Sequence, residues 1–234
     1  TSFDYTKKEN LFLMYNRNTS RLHRPFFVNE LYKNNLLKDS LISLFKNEEF
    51  EKTIDETNEY RELDINIEQI LELKKNYKNF YPLYIDSDDA DFVANLHNFL
   101  SRKNEYEKTW FSIVGETNAE KNYVFVTEKT IKPIMNLHPF FIVGNPGTLK
   151  FLKELGFKTF SEYWNEDYDS ELNFLKRIKM IVEEIKKISL MNYDEKIKLF
   201  KSMEEILVYN KKLLHTFSRK NYIEKELFEI VNKL

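Results

Sequence analysis

The 234-residue chain contains no cysteine, which removes disulfides, thiolate zinc sites and cysteine nucleophiles from the possible chemistry. It has only four glycines and five prolines. It carries neither a G-x-x-x-x-G-K-[ST] nor a G-x-G-x-x-G run, so a P-loop and a dinucleotide fingerprint are both excluded. No apolar stretch approaches the roughly 20 residues needed to span a bilayer as a helix. The opening segment, TSFDYTKKEN, lacks the basic-then-apolar pattern of a secretory leader; it also lacks an initiator methionine and reads as a processed or trimmed chain. Nor does one sign of charge dominate: 36 basic residues face 38 acidic ones, for a formal charge of −2. Nucleic-acid faces need clustered positive charge, so this balance leaves room only for a local basic site. These absences point to a soluble globular protein of a reducing compartment such as the cytoplasm.

Aromatic residues are abundant, at 15% with 20 Phe and 14 Tyr. The length suits one or two domains with a real core. Leu11–Tyr15 is a short apolar run followed by the Arg-rich loop 16–24, and Pro25 then opens a helix bearing Phe26, Phe27, Leu31 and Tyr32. Leu41–Phe45 fits either a strand or a helix start, and 48–62 is polar and peripheral. Ile67, Ile70, Leu71 and Leu73 predict an amphipathic helix, and 80–85 a strand. Asp86, Asp88 and Asp89 offer N-caps for a helix with Phe92, Val93, Leu96, Phe99 and Leu100 on its apolar face.

The middle of the chain carries the most regular pattern. Trp110–Val114, Tyr123–Val126, Pro139–Val143 and Phe157–Phe160 read as strands. Thr127 caps a helix after the second of these, and Thr148–Leu155 forms a helix stopped by Gly156. Short strands alternating with helices predict parallel βαβ units. From Glu171 the period becomes helical: one stripe runs through Leu172, Leu175, Ile178, Val182 and Ile185. A second runs through Ile197, Phe200, Met203, Leu207 and Leu214, and a last helix covers 222–231. The expected fold is α/β, a Rossmann-like parallel sheet over 1–170 with a C-terminal helical tail over 171–234 packed on it.

Ligands of a parallel sheet bind beyond the carboxyl ends of its strands. Loop 16–24, with Arg17, Arg21, His23 and Arg24, is expected there and either grips phosphate through guanidinium forks or is a solvated surface loop. Loop 115–118 and the turns 127–129 and 144–147 converge on the same edge. In Thr127-Glu128-Lys129, Glu128 can accept two ribose hydroxyls and Lys129 can neutralise a diphosphate; equally, these are a cap and first-turn charges. Gly144 and Gly147 either admit a ligand close to the backbone or form the turn.

The stretch F-S-I-V-G-E-T-N (111–118) followed by F-V-T-E-K-T-I-K-P-I (125–134) resembles the donor-binding signature of the α-1,3-fucosyltransferase family. There F-E-N-S precedes D-Y-V-T-E-K by a short gap. Glu116 and Asn118 match the first element loosely, with Gly115 where Phe stands in the family. Val126-Thr127-Glu128-Lys129 matches the second, with Phe125 in place of Tyr. Upstream, Asn16, Asn18, Arg24 and Leu31 are similar to the family's S-N-x-N…Arg…Leu spacing. More broadly, N-R-N-T-S-R-L-H-R with G-F-K-T-F-S-E-Y-W-N-E-D-Y-D looks like glycosyltransferase-like proteins of phages and bacteria, and the likeness spans Leu11 to Asp169.

The resemblance implies a GT-B-type donor half in which Arg24 and Lys129 hold the donor diphosphate and Glu128 the ribose. Arg17, Arg21, Glu116, Asn118 and Thr127 support them. A nucleoside-diphosphate sugar is then a co-substrate, with no resident cofactor and no metal. The acceptor is a glycan, a lipid-linked sugar or a modified nucleobase of phage DNA. The family's acceptor domain has no counterpart in the sequence, so no catalytic base is assigned. The alternative is a non-catalytic nucleotide- or partner-binding module, such as a viral host-interaction protein.

Other constellations are secondary. Asp86, Asp88 and Asp89 form either a metal or base site or a surface cap. His97 and His138 lack a second histidine at ligand spacing. The loop Trp164-Asn165-Glu166-Asp167-Tyr168-Asp169 either touches a sugar or base or packs as a lid.

Overall fold

Apolar runs long enough to be buried on both faces build the centre of the molecule. The computed structural model describes residues 3–16, 21–44, 63–85, 103–119 and 123–219. Its strands are β1 (Asn10–Asn16), β2 (Leu41–Leu44), β3 (Thr109–Gly115) and β4 (Phe140–Val143), all parallel, in the order β2-β1-β3-β4. Nearly every strand residue is buried, as a parallel sheet covered by helices requires. The helices are α1 (His23–Lys33), α2 (Ile67–Tyr77), α3 (Lys103–Lys108), α4 (Glu128–Met135), α5 (Thr148–Glu154), α6 (Phe174–Leu190), α7 (Tyr193–Lys201) and α8 (Glu204–Arg219).

The chain leaves β1 through α1 to reach β2 on one side, while β3 joins the other side of β1 and continues through α4 to β4. Right-handed crossovers running in opposite directions put α1 and α4 on opposite faces. The C-terminal helices follow suit: α6 packs on α1 and α8 on α4. The fold is Rossmann-like α/β with a helical C-terminal region. Its core is rich in rings: Phe12, Phe27, Phe111, Phe141, Phe160 and Phe174 are all buried to 1% exposure or less. Each such burial stabilises the fold by about 1.5–3 kcal/mol relative to exposure.

Helix starts follow local chemistry. Asn66 and Gln69 form a reciprocal capping box on α2, with bonds of 3.0 and 2.7 Å, and Asn192 and Glu195 repeat it on α7. Such boxes satisfy the orphan amides of a helix start. Gly147 precedes α5 at φ 82° and Gly156 follows it at φ 91°, a region where a side chain is strained. The stripe from Ile197 to Leu214 belongs to two helices, broken at Ser202–Met203.

Three expected strands do not form. Residues 123–126 are extended loop, and the Phe125 amide donates to the Asn145 carboxamide at 3.3 Å. Residues 157–160 find side chains where a strand would find a neighbour. The Asn210 carboxamide clamps the Lys158 backbone at 2.8 and 2.7 Å, and Glu166 accepts the Phe160 amide at 2.7 Å. In 80–85 a single antiparallel bridge, Leu83 to Leu44, is made; Pro82 has no N–H with which to extend it. The expected peripheral segment 48–62 and the helices over 92–100 and 222–231 lie outside the described residues.

Candidate functional site

The winding reverses between β1 and β3, and the carboxyl ends of the strands at such a point are the usual ligand position of parallel sheets. Glu116, the first residue after β3, is fully buried and organises this edge. Its Oε1 accepts the Thr127 amide at 3.1 Å and the Thr130 hydroxyl at 2.6 Å, and its Oε2 accepts the Thr127 hydroxyl at 2.5 Å. One carboxylate therefore ties the end of β3 to the first turn of α4. Thr127 caps α4 by accepting the Lys129 amide at 3.3 Å.

The Glu116 backbone holds the other wall. Its carbonyl accepts Arg24 Nη2 at 3.2 Å and faces His23 Nε2 at 2.9 Å, so the first turn of α1 is pinned to the β3 end. One residue on, the Thr117 hydroxyl accepts the Lys129 ammonium at 3.1 Å. Arg24 and Lys129, separated by 105 positions, thus flank the short segment Glu116–Thr117. Lys129 also lies 3.3 Å from the Glu128 carboxylate, and both side chains remain partly exposed, at 25% and 33%.

Burial pushes the Glu128 carboxyl up, but Lys129 and Lys132 outweigh it and hold it below its ordinary value. Lys132, one turn further along α4, is the reverse case: burial pushes its ammonium down to about 7, against the pull of Glu128. The sequence reading passed over Lys132, although its spacing of four from Glu128 puts both on one helix face.

The remaining expected residues fall as follows. Asn118 donates to the Tyr123 hydroxyl at 2.5 Å, beside two exposed rings, Tyr123 at 55% and Phe125 at 45%. Arg21 is half-buried, and its carbonyl accepts the Arg24 amide at 3.1 Å. Arg17 lies outside the described residues, as do Asp86, Asp88, Asp89 and His97. Asn16, at the end of β1, is completely buried with neither carboxamide atom hydrogen-bonded, and a Cβ on Gly115 would sit 2.5 Å from its Oδ1. Gly115 makes room for that side chain, a role the sequence reading did not anticipate.

Two other candidates serve the fold. Trp164 stacks on Phe141 with centroids 4.4 Å apart, and Tyr168 is fully buried, so the 164–169 loop packs as a lid on the core. Its acids act as caps: Asp169 accepts the Leu149 and Lys150 amides at 2.8 and 2.9 Å. His138 is enclosed, its Nε2 donating to the Thr109 carbonyl at 2.7 Å and its Nδ1 2.7 Å from the Ser112 hydroxyl. Among the described residues no group of three His, Asp or Glu is placed to hold a metal ion, and no helix is long and apolar enough to cross a membrane. Comparison with protein-family models, curated proteins and solved structures finds no match to this chain.

Proposed function

We propose that the carboxyl edge between β1 and β3 binds a nucleoside-diphosphate sugar, and that the chain carries the donor-binding part of a glycosyltransferase. The observation that supports this reading is the approach of Arg24 and Lys129 to the two sides of Glu116–Thr117 at the point where the winding reverses. A guanidinium and an ammonium so placed suit the two phosphates of a donor. Glu128 suits the ribose diol, and the exposed rings of Tyr123 and Phe125 offer surfaces for a base. In the transfer, the acceptor hydroxyl gives up its proton to solvent and bonds to the anomeric carbon as that carbon's bond to the diphosphate oxygen breaks; Arg24 and Lys129 stabilise the negative charge that leaves. The acceptor is a glycan or a modified nucleobase. The second reading, a nucleotide- or partner-binding module without chemistry, draws on Glu116, whose carboxylate is committed to tying β3 to α4 through Thr127 and Thr130.

A thermal-shift screen against nucleoside-diphosphate sugars tests the binding. At least one of them is expected to raise the melting temperature, and Lys129→Ala is expected to abolish the rise. If no nucleotide sugar stabilises the protein while a free nucleotide does, the module reading replaces the transferase. Product formation with candidate acceptors then separates enzyme from binder.

A further inference from the structure

At the opposite edge of the sheet, around the amino ends of β3 and β4, lies a cavity of about 430 Å³, within the range of small-molecule sites. Aromatic rings make one wall. Tyr5 and Trp110 stack with centroids 6.0 Å apart and planes 17° apart, and Phe200 lies 5.3 Å from Trp110. The wall is braced from behind: the Tyr5 hydroxyl donates to Glu204 at 2.9 Å, and the Tyr193 hydroxyl donates to the Tyr5 carbonyl at 2.7 Å.

Lys8 supplies the polar side. Its ammonium donates to the carbonyls of Tyr106 at 3.0 Å and Thr109 at 2.5 Å, which uses two of its three N–H groups. The neighbouring acids are engaged elsewhere. Asp4 accepts the Thr6 amide and hydroxyl at 3.1 and 2.6 Å, and Glu107 pairs with Lys7 at 3.0 Å. His138 faces the same space as a neutral ring, held well below its ordinary value by burial and then by Lys8. Lys211 and His215 line the wall contributed by α8. Burial lowers Lys8 itself to about 8 despite Glu107 and Asp4, the signature of a cation that lacks a full counter-charge.

We propose that this cavity is a second ligand site, separate from the nucleotide-sugar edge, that takes a small planar aromatic carboxylate, with its ring on the Tyr5–Trp110 wall and its carboxylate on Lys8. A flat ring matches stacked rings, and a carboxylate offers Lys8 a charged acceptor beside the two carbonyls it already meets.

Isothermal titration with 2-naphthoate and its neutral amide, 2-naphthamide, tests this on the native chain. The acid is expected to bind about tenfold or more tighter than the amide at pH 7. Its affinity should fall by about tenfold per pH unit above pH 8, with proton uptake in that range, because bound carboxylate holds the proton on Lys8. Lys8→Met should remove the preference and the pH dependence, and Lys8→Arg should keep the preference for the acid. Should Lys8→Met fail to fold, the proton uptake of the native protein decides. Equal binding of acid and amide, no heat with the acid at millimolar concentration, or competition by a nucleoside-diphosphate sugar would overturn the assignment.

Discussion

At the carboxyl edge of the sheet a buried carboxylate, Glu116, gathers donors from Thr127 and Thr130, while Arg24 donates to its backbone carbonyl and Lys129 to the hydroxyl of the next residue, Thr117. At the amino edge a buried imidazole, His138, has one backbone acceptor and one hydroxyl, and it stays neutral. The first edge is built around charge and leaves Lys129 and Glu128 partly open to solvent. The second holds that neutral imidazole beside a cavity whose lining includes Lys8 and Lys211. On the proposed reading, a donor diphosphate at the carboxyl edge would compete with Glu128 for Lys129, while Glu116 holds the end of β3 to the start of α4.

Removing either hub tests this contrast, and Glu116 carries the larger effect. Glu116→Ala leaves the amide and hydroxyl of Thr127 and the hydroxyl of Thr130 without an acceptor. A loss of about 3 kcal/mol or more is expected in urea unfolding. A loss under about 1 kcal/mol would show that the α4 start is held by other means.

Gly115→Ala comes next. The new Cβ would meet Asn16 Oδ1 at 2.5 Å, and Asn16 is fully enclosed. A cost of about 2 kcal/mol is expected. Asn16→Ala alone gives up no hydrogen bond and should cost less than about 1 kcal/mol. The double variant should recover most of the Gly115→Ala loss, and simple additivity would break the claim that the two share one space.

His138 sets the pH response of the amino edge. Its folded-state pKa is depressed well below 6.5, first by burial and then by Lys8. The unfolded chain therefore takes up a proton that the folded chain refuses as pH falls below about 6.5, and stability is present above that value and lost beneath it. The expected slope approaches about 1.4 kcal/mol per pH unit. Urea titrations of the native chain and His138→Gln between pH 7 and 5 isolate it, and equal slopes would remove His138 from the account. Ser112→Ala, which deletes the hydroxyl beside His138 Nδ1, should cost about 1 kcal/mol.

The sheet was legible because β1, β3 and β4 are apolar on both faces, and α2 because its apolar residues repeat at helical spacing behind Asn66. Gly156 was readable as a helix stop, and Thr127 as a cap, for the same local reasons. The three runs at 80–85, 123–126 and 157–160 were misread as strands because a short apolar run reports burial rather than pairing. In the last two runs the backbone partners, Asn145, Asn210 and Glu166, are side chains that local pattern does not connect to them. At the candidate site, the resemblance picked out Arg24, Glu128 and Lys129, and the fold sets Arg24 and Lys129 on either side of one short segment. The bonds from Thr127 and Thr130 to the Glu116 carboxylate join residues 11 and 14 positions apart, which no local pattern reveals. Lys132 and Lys8 escaped notice because their importance comes from burial, which tertiary packing alone decides.

The most direct test of the carboxyl edge is a backbone amide NMR titration with nucleoside-diphosphate sugars. The account predicts shifts concentrated at Gly115, Glu116, Thr117, Glu128 and Lys129, with Lys8, Trp110 and His138 unmoved. Shifts confined to Lys8, Trp110 and His138, or none at any residue with every nucleotide sugar, would contradict it.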